Sequence, residues 1–304
     1  MAAPTWDQLL DDLRRDNRSG ATELTRRAAA GLAALADVVE TDERGHDRLP
    51  AALRELASVR PPFASLFRVA NEAAGETSNV SSAVDAATAL RQLAARLLDE
   101  ISVQHAGVVA SATGLIVGNP RVLTVSASSV VRDALIRATE RDSRPSVTWL
   151  ESRPGLEGAT LANELAGAGV QTRLAVDAAA ARLASETDLV LVGGDTFSPA
   201  GLVHKLGTLG LALAARQRRL PVYALLGTFK VLPAPVRGWQ QDGGPAAELA
   251  LPTSPAVEIW NRYYDLTPLD LLAGVVTEQG LLTPPEAAAL SPPIHPWLSD
   301  LLES

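Results

Sequence analysis

The chain changes its hydrophobic period near residue 120, and this change limits the folds that it can adopt. Beyond that point, short runs rich in β-branched residues alternate with segments of helical periodicity. The runs begin at Val122, Ser146, Val170, Asp188 and Pro221. They recur at roughly 20 to 25 residues, a repeat typical of strand-helix-strand units with right-handed crossovers. The sequence therefore predicts an α/β fold with a parallel sheet in this part of the chain.

The residues before this change predict helices. Apolar positions recur every three or four residues in WDQLLDDLRR, ATELTRRAAAGLAALADVV and AVDAATALRQLAARLLDEI. This spacing places the apolar side chains on one face of a helix, and no convincing strand alternation occurs there. We therefore predict a helical amino-terminal domain over residues 1–115 and an α/β domain over residues 116–304.

Composition excludes several classes of protein. A chain of 304 residues with 47% hydrophobic residues can bury a substantial core, and the absence of cysteine excludes disulfides, thiolate metal sites and a cysteine nucleophile. The net charge of -8 and the low aromatic content argue against a nucleic-acid partner. No apolar run approaches the ~20 residues of a membrane span, and the start is acidic and amphipathic rather than signal-like. We expect a cytoplasmic protein with no membrane partner.

Known cofactor and metal motifs are missing from the sequence. The glycine pair before Asp195 does not form the G-x-G-x-x-G fingerprint of dinucleotide-binding sites, and no P-loop motif occurs. The four histidines have no metal-ligand spacing. The sequence therefore predicts neither a cofactor nor a metal site.

The run DLVLVGGDTFSPAGLVHK, from Asp188 to Lys205, contains the strongest candidate site. Its apolar strand ends at a glycine pair followed by Asp195, and we expect a helix from Gly201 that carries Lys205. Ligands of open α/β sheets bind where the carboxyl ends of the strands meet, so this position favours a functional role for Asp195. The alternative is that Asp195 only caps the following turn.

Polar and cationic residues follow the other predicted strands and would meet Asp195 at the same edge. Ser128 or Ser129 can cap a helix whose free N–H groups attract an anion. Cations from separate elements favour a phosphorylated ligand, because hydrogen bonds between charged groups are strong. These cations are Arg153, Lys205 and Lys230.

Each of these residues could instead have a purely structural role. Arg153 could instead form a salt bridge with Glu151 or Glu157, and the two lysines could be ordinary surface charges. The neighbouring His204 could contact a ligand or serve only the structure.

Several runs, in a fixed order, resemble one known family. They are RSGATEL, RPPFASLF, VLTVSASSVV, ESRPGLEG, GGDTFSPAGLVHKLGTLGLALAARQRRLPVYALLGTFK and YYDLTPLDLLAGVVTEQG. The family is that of the initiation factor 2B alpha, beta and delta subunits, with ribose-1,5-bisphosphate isomerase and methylthioribose-1-phosphate isomerase. The resemblance implies a helical domain, a Rossmann-like domain, a phosphosugar pocket at the strand ends and a homodimer. The apolar run LLAGVVTE could supply the two-fold surface.

The resemblance also implies roles for single residues. Asp195 matches the catalytic aspartate of the family, and Lys205 matches the lysine of an Asn-Lys pair whose asparagine is replaced by His204. Arg153 matches an arginine associated with the ligand phosphate. Other positions that match a phosphate-associated or basic pocket residue are Gly20, Ala21 and Arg60.

Ser126 departs from the isomerases, which resemble one another in having a catalytic cysteine at this point. A serine hydroxyl is far less acidic than a thiol and needs an adjacent base, and the local sequence shows none. The sequence therefore favours a sensor of a sugar phosphate or nucleotide, or a divergent isomerase. The first alternative is an active isomerase of aldose 1-phosphates that uses Asp195. A regulatory subunit resembling a translation initiation factor is the second, and it rests on the family's name alone.

Overall fold

A computed structural model describes residues 4–17, 19–41, 45–241, 243–249, 254 and 256–303. Its amino-terminal part consists of the helices Trp6–Arg15 (α1), Ala21–Thr41 (α2), Gly45–Ser58 (α3), Ala64–Thr77 (α4) and Ala83–Thr113 (α5). Thr5 starts α1 with a capping box, because Thr5 and Gln8 each accept a hydrogen bond from the other's backbone N–H. The helical prediction for this part is confirmed.

The helices bury their apolar faces in one core. Helix α2 packs against α5, and Leu24 and Leu32 of α2 and Leu90 of α5 are fully buried in this core. Apolar residues from the end of the chain, Leu298 and Leu302, join the same core. The amino-terminal helices are therefore held in place by the tail of the chain as well as by one another.

The second part contains the predicted sheet. Its strands are Arg121–Thr124 (β1), Ser146–Leu150 (β2), Gln171–Ala175 (β3), Leu189–Val192 (β4), Val222–Leu225 (β7), Gly274–Thr277 (β9) and Gly280–Leu282 (β10). The strand order is β10-β9-β7-β4-β1-β2-β3, and only β10 is antiparallel. The accompanying helices are Ser129–Thr139 (α6), Glu157–Gly167 (α7), Ala180–Leu183 (α8), Thr208–Gln217 (α9) and Pro284–Ala288 (α10). The α/β prediction is confirmed.

The order of strand connections reverses between β1 and β4, which are adjacent parallel strands. From β1 the chain proceeds to β2 and β3 on one side, whereas β4 leads to β7 and β9 on the other. Such a switch point opens a crevice at the carboxyl ends of the two strands. The crevice lies where residues 125–129 follow β1 and residues 193–195 follow β4.

A second, antiparallel sheet replaces the helix expected from Gly201. It is formed by Thr196–Ser198 (β5), Gly201–Lys205 (β6) and Tyr264–Thr267 (β8), in the order β5-β6-β8. Every residue of β6 is buried between its two neighbours, and α9 begins only after Gly207, whose φ is +101°. The helical prediction was wrong because pairing with β5 and β8 decided the conformation of a short run that contains only five residues.

The run LLAGVVTE lies inside the sheet. Its residues Val275 and Val276 are fully buried in β9, which pairs with β7 and β10. This run therefore does not offer a surface for a second copy of the chain. Of the helices in the described residues, none combines the length and hydropathy that crossing a bilayer requires.

Candidate functional site

Most of the predicted site residues meet at the switch point. A cavity of about 720 Å³ opens there and adjoins a smaller one of about 60 Å³. Predicted residues that line the larger cavity are Gly20, Ala21, Ser128, Ser129, Asp195, His204 and Lys230. The smaller cavity shares Gly20, Ala21, Asp195 and His204 with it and adds Arg60, Ser126 and Lys205. Arg153 lines neither cavity.

Asp195 lines both cavities. Its backbone N–H donates to the carbonyl of Val203 at 3.1 Å, and its carbonyl accepts from the N–H of Ala64 at 3.1 Å. These bonds attach the turn after β4 to β6 and to the start of α4. Among the described residues, none donates a hydrogen bond to the carboxylate, so the turn-capping alternative has no support in the structure.

Burial raises the pKa of the Asp195 carboxyl to about 6, against the opposing attraction of Lys230, Lys205 and Arg60. Burial dominates because the carboxylate loses its water, while the cations make other contacts as well. A carboxyl that titrates near neutral pH can both accept and donate a proton under ordinary conditions. Asp195 is therefore suited to acid–base chemistry on a bound ligand.

The charges of two lysines, Lys230 and Lys205, act on Asp195. Lys230 donates from Nζ to the carbonyl of Gly194 at 2.7 Å, and burial lowers its pKa although Asp195 opposes the shift. Lys205 is only 6% exposed, and its Nζ lies 2.7 Å from Oε1 of Glu157. The interpretation of Lys205 as an ordinary surface charge is therefore wrong.

Arg60 reaches the smaller cavity from the amino-terminal helices. It is 5% exposed, donates to the carbonyl of Asp16 and to the hydroxyl of Tyr264 at 3.4 Å, and lies over the ring of Phe63. These contacts hold the guanidinium in place, so the positive charge is positioned before a ligand arrives.

Ser126 follows β1 with a backbone conformation that is uncommon for a side chain of its kind. Its φ is +71°, which costs roughly 1–2 kcal/mol for a residue other than glycine. Two contacts hold it there: its N–H donates to Oγ of Ser152 at 2.7 Å, and its carbonyl accepts from Nε1 of Trp149 at 2.8 Å. Strained residues of this kind gather at functional sites, and Ser126 lines the smaller cavity.

Ser128 caps α6, as predicted. Its Oγ accepts from the N–H of Val131 at 3.4 Å, and the free N–H groups of the first turn adjoin the larger cavity beside Ser129. A Cβ placed on Gly193 would lie 2.7 Å from Oγ of Ser128 and 3.2 Å from Nε2 of His204. Only glycine therefore allows β4, α6 and β6 to approach one another this closely.

Arg153 lies beside the cavities rather than in them. Its N–H donates to Oδ2 of Asp177 at 2.7 Å, and its guanidinium donates to the carbonyl of Leu249 at 2.8 Å. The alternative salt bridge to Glu157 does not form, since Glu157 pairs with Lys205. In this structure the guanidinium is engaged by the carbonyl of Leu249, and contact with a ligand phosphate stays a prediction.

Several residues that line the cavity were not predicted to be site residues. They include the acidic side chains Glu23, Glu157, Glu164 and Glu248 and the cationic Arg132. Arg132 is paired with Asp133 and with Glu164, each at 2.7 Å. The sequence could have indicated Arg132, because it lies one helical turn after the Ser128 cap and therefore on the same side of α6. In the described ranges, no group of three or more His, Asp or Glu side chains is placed to hold a metal ion.

Comparison with known proteins identifies relatives that align with most of the chain. A profile of the Initiation factor 2 subunit family matches residues 17–284. A methylthioribose-1-phosphate isomerase from Synechococcus sp. is 33% identical over 86% of this chain and 83% of its own. A ribose 1,5-bisphosphate isomerase from Archaeoglobus fulgidus is 28% identical over 88% and 86%. The crystal structure of a translation initiation factor eIF-2B from Pyrococcus horikoshii superposes with a TM-score of 0.80, at 27% identity, over 92% of this chain and 98% of its own.

Proposed function

We propose that this chain, which belongs to the Initiation factor 2 subunit family, binds a small phosphorylated sugar in the cavity at the switch point. One observation carries the proposal: the N-terminus of α6, Lys230 and the carboxyl of Asp195 line the same cavity. Helix N-termini and cations favour a phosphate, whereas a carboxyl favours the hydroxyl groups of a sugar. Two of the relatives are named as isomerases of phosphorylated sugars.

The cavity provides separate places for the two parts of such a ligand. Ser128 and Ser129 belong to the α6 end of the cavity, where the phosphate would accept hydrogen bonds from backbone N–H groups. Asp195 belongs to the region shared with the smaller cavity, where Arg60 brings further positive charge beside the ion pair of Lys205 and Glu157. A ligand with phosphate at both ends would use both regions, and a volume of about 720 Å³ accommodates one.

The role that we propose is that of a sensor or a divergent isomerase. Ser126 stands at the position of the isomerases' cysteine in the resemblance described above. In the described part of the chain, no side chain hydrogen-bonds its hydroxyl, so nothing there would deprotonate it. We therefore do not propose that Ser126 replaces the thiol in the reaction of the isomerases.

Active isomerisation is the second candidate, and the raised pKa of Asp195 favours it. A carboxyl with a pKa of about 6 could carry a proton between neighbouring sugar carbons without a thiol. Turnover of ribose 1,5-bisphosphate or methylthioribose 1-phosphate, lost in Asp195→Asn and kept in Ser126→Ala, would establish this candidate over a sensor.

A thermal-shift screen tests the binding proposal. The probes are ribose 1,5-bisphosphate, ribose 5-phosphate, nucleoside monophosphates, inorganic phosphate and unphosphorylated ribose. We expect a sugar phosphate to raise the melting temperature more than ribose does, because a ligand at a hundredfold excess over Kd stabilises the native state by about 2.7 kcal/mol. A shift with nucleotides alone would redirect the proposal to a nucleotide, and no shift with any probe at millimolar concentration would refute it.

A further inference from the structure

His204 is the most deeply buried titratable side chain that lines the cavity and has no part in the proposal above. It is 3% exposed and lies on β6, where it directly precedes Lys205. Burial and the charges of Lys230 and Lys205 lower its pKa to about 3, so the ring is neutral at physiological pH. A neutral imidazole has one nitrogen that donates and one that accepts, and the choice depends on its neighbours.

Thr208 decides which nitrogen carries the proton. Its Oγ1 lies 2.6 Å from the carbonyl oxygen of Lys205 and 3.0 Å from Nδ1 of His204. A hydroxyl has one proton, and the carbonyl can only accept, so Thr208 donates to Lys205. Oγ1 must then accept from Nδ1–H, which leaves Nε2 of His204 without a proton.

The bare Nε2 faces the cavity. It lies close to Gly193 and shares that surface with Oγ of Ser128, since a Cβ on Gly193 would lie 3.2 Å and 2.7 Å from the two atoms. No described residue donates a hydrogen bond to Nε2. A buried acceptor beside an anion-binding helix end repels phosphate oxygens and needs a donor from the ligand.

We infer that Nε2 of His204 accepts a hydrogen bond from a ligand hydroxyl next to the phosphate at the α6 end, and that Thr208 is the positioning residue that fixes this acceptor. The inference rests on the proposed function. It names the specificity of the site: the ligand carries a free hydroxyl beside its phosphate-bearing end, and an analogue with hydrogen in place of that hydroxyl leaves Nε2 unpaired.

The tautomer can be measured without any ligand. We would label the four histidines with ¹⁵N and record long-range ¹H–¹⁵N spectra of the wild type, with His204→Asn for assignment. The expected result is a protonated Nδ1 and an unprotonated Nε2 for His204 in the wild type and in Thr208→Ser, which keeps the hydroxyl. Thr208→Val should release the Nε2–H form. A protonated Nε2 in the wild type would overturn the inference, whatever the protein binds.

Binding then tests the specificity. Calorimetric titration with ribose 1,5-bisphosphate and with inorganic phosphate separates the hydroxyl contact from the phosphate contact. Thr208→Val should weaken the binding of the sugar phosphate roughly five- to tenfold and change the affinity for inorganic phosphate by less than about twofold. Thr208→Ser should keep the wild-type affinities for both probes. An equal loss of affinity for both probes in Thr208→Val would mean that Thr208 has a purely structural role, and it would overturn the inference. If the wild type binds phosphate but no sugar phosphate, the proposed function fails and this inference fails with it.

Discussion

Replacing Asp195 with asparagine should stabilise the protein at neutral pH. The carboxyl has a pKa of about 6 in the native state, against 3.8 for an unperturbed aspartate. A difference of about two units corresponds to about 3 kcal/mol, because each unit is worth about 1.4 kcal/mol. That figure already includes the attraction of the three cations around Asp195, so it is the net cost of holding the ionised group there.

The sign of the pH dependence follows from the direction of the shift. Because the native pKa lies above the unfolded one, the native state binds more protons between about pH 4 and 6, and the wild type loses stability as pH rises through that window. Asp195→Asn lacks this titration. Urea unfolding of both proteins from pH 4 to 8 should therefore show equal stability at low pH and a variant more stable by up to about 3 kcal/mol above pH 7.

The control variant Asp188→Asn should change the stability in the opposite direction. Hydrogen bonds from Arg121 lower the pKa of Asp188, so Asp188→Asn should lose a little stability at neutral pH and none at low pH. Asp265, whose pKa is also raised to about 6, is present in all three proteins and cancels in the comparison. Should Asp195→Asn prove less stable than the wild type at pH 7.5, burial of an ionised Asp195 would not be what sets its pKa.

The other predictions concern the site and the assembly. Gly193→Ala should cost about 1–3 kcal/mol of stability and weaken phosphate binding, because its Cβ would collide with Ser128. Gly210→Ala in α9 is the control, since a Cβ there meets open space. Equal melting temperatures for the two variants would refute the close approach at Gly193. Lys230→Met should weaken sugar phosphate binding more than Arg153→Ala, measured by calorimetry, and the reverse order would place the phosphate beside Arg153. Isomerisation of ribose 1,5-bisphosphate should be absent or very slow in the wild type and faster in Ser126→Cys, because a thiol is far more acidic than a hydroxyl. Rapid wild-type turnover in a coupled assay would contradict this. Light scattering at micromolar concentration should give the mass of a homodimer, as the family resemblance implies, and a monomer mass would contradict that expectation.

The parallel sheet could be predicted because its strands carry their own signal. A run such as Leu189–Val192 is apolar throughout and bounded by glycine, which indicates a strand covered on both faces. The cap at Ser128 was visible for the same local reason. The amino-terminal helices have the repeating apolar face that marks a helix in any context.

The second sheet and the partners of Lys205 and Arg153 could not be predicted, because they depend on segments far apart in the chain. Strand β6 is fixed by β8, which lies some sixty residues further on and pairs Lys205 with Tyr264. The partner of Lys205, Glu157, comes from the start of α7, and Arg153 is drawn to Leu249. Each of these contacts needs the folded structure, since no local pattern encodes which distant group will arrive.

Calorimetric titration of ribose 1,5-bisphosphate tests the central claim most directly. Unphosphorylated ribose and Lys230→Met are the controls for the ligand and for the site. We predict saturable binding of one ligand per chain, a weaker Kd in Lys230→Met and no measurable binding of ribose, because charge-assisted hydrogen bonds to phosphate supply much of the affinity. Absence of heat with the sugar phosphate, or equal affinity in the wild type and Lys230→Met, would contradict the assignment of this cavity to a phosphorylated sugar.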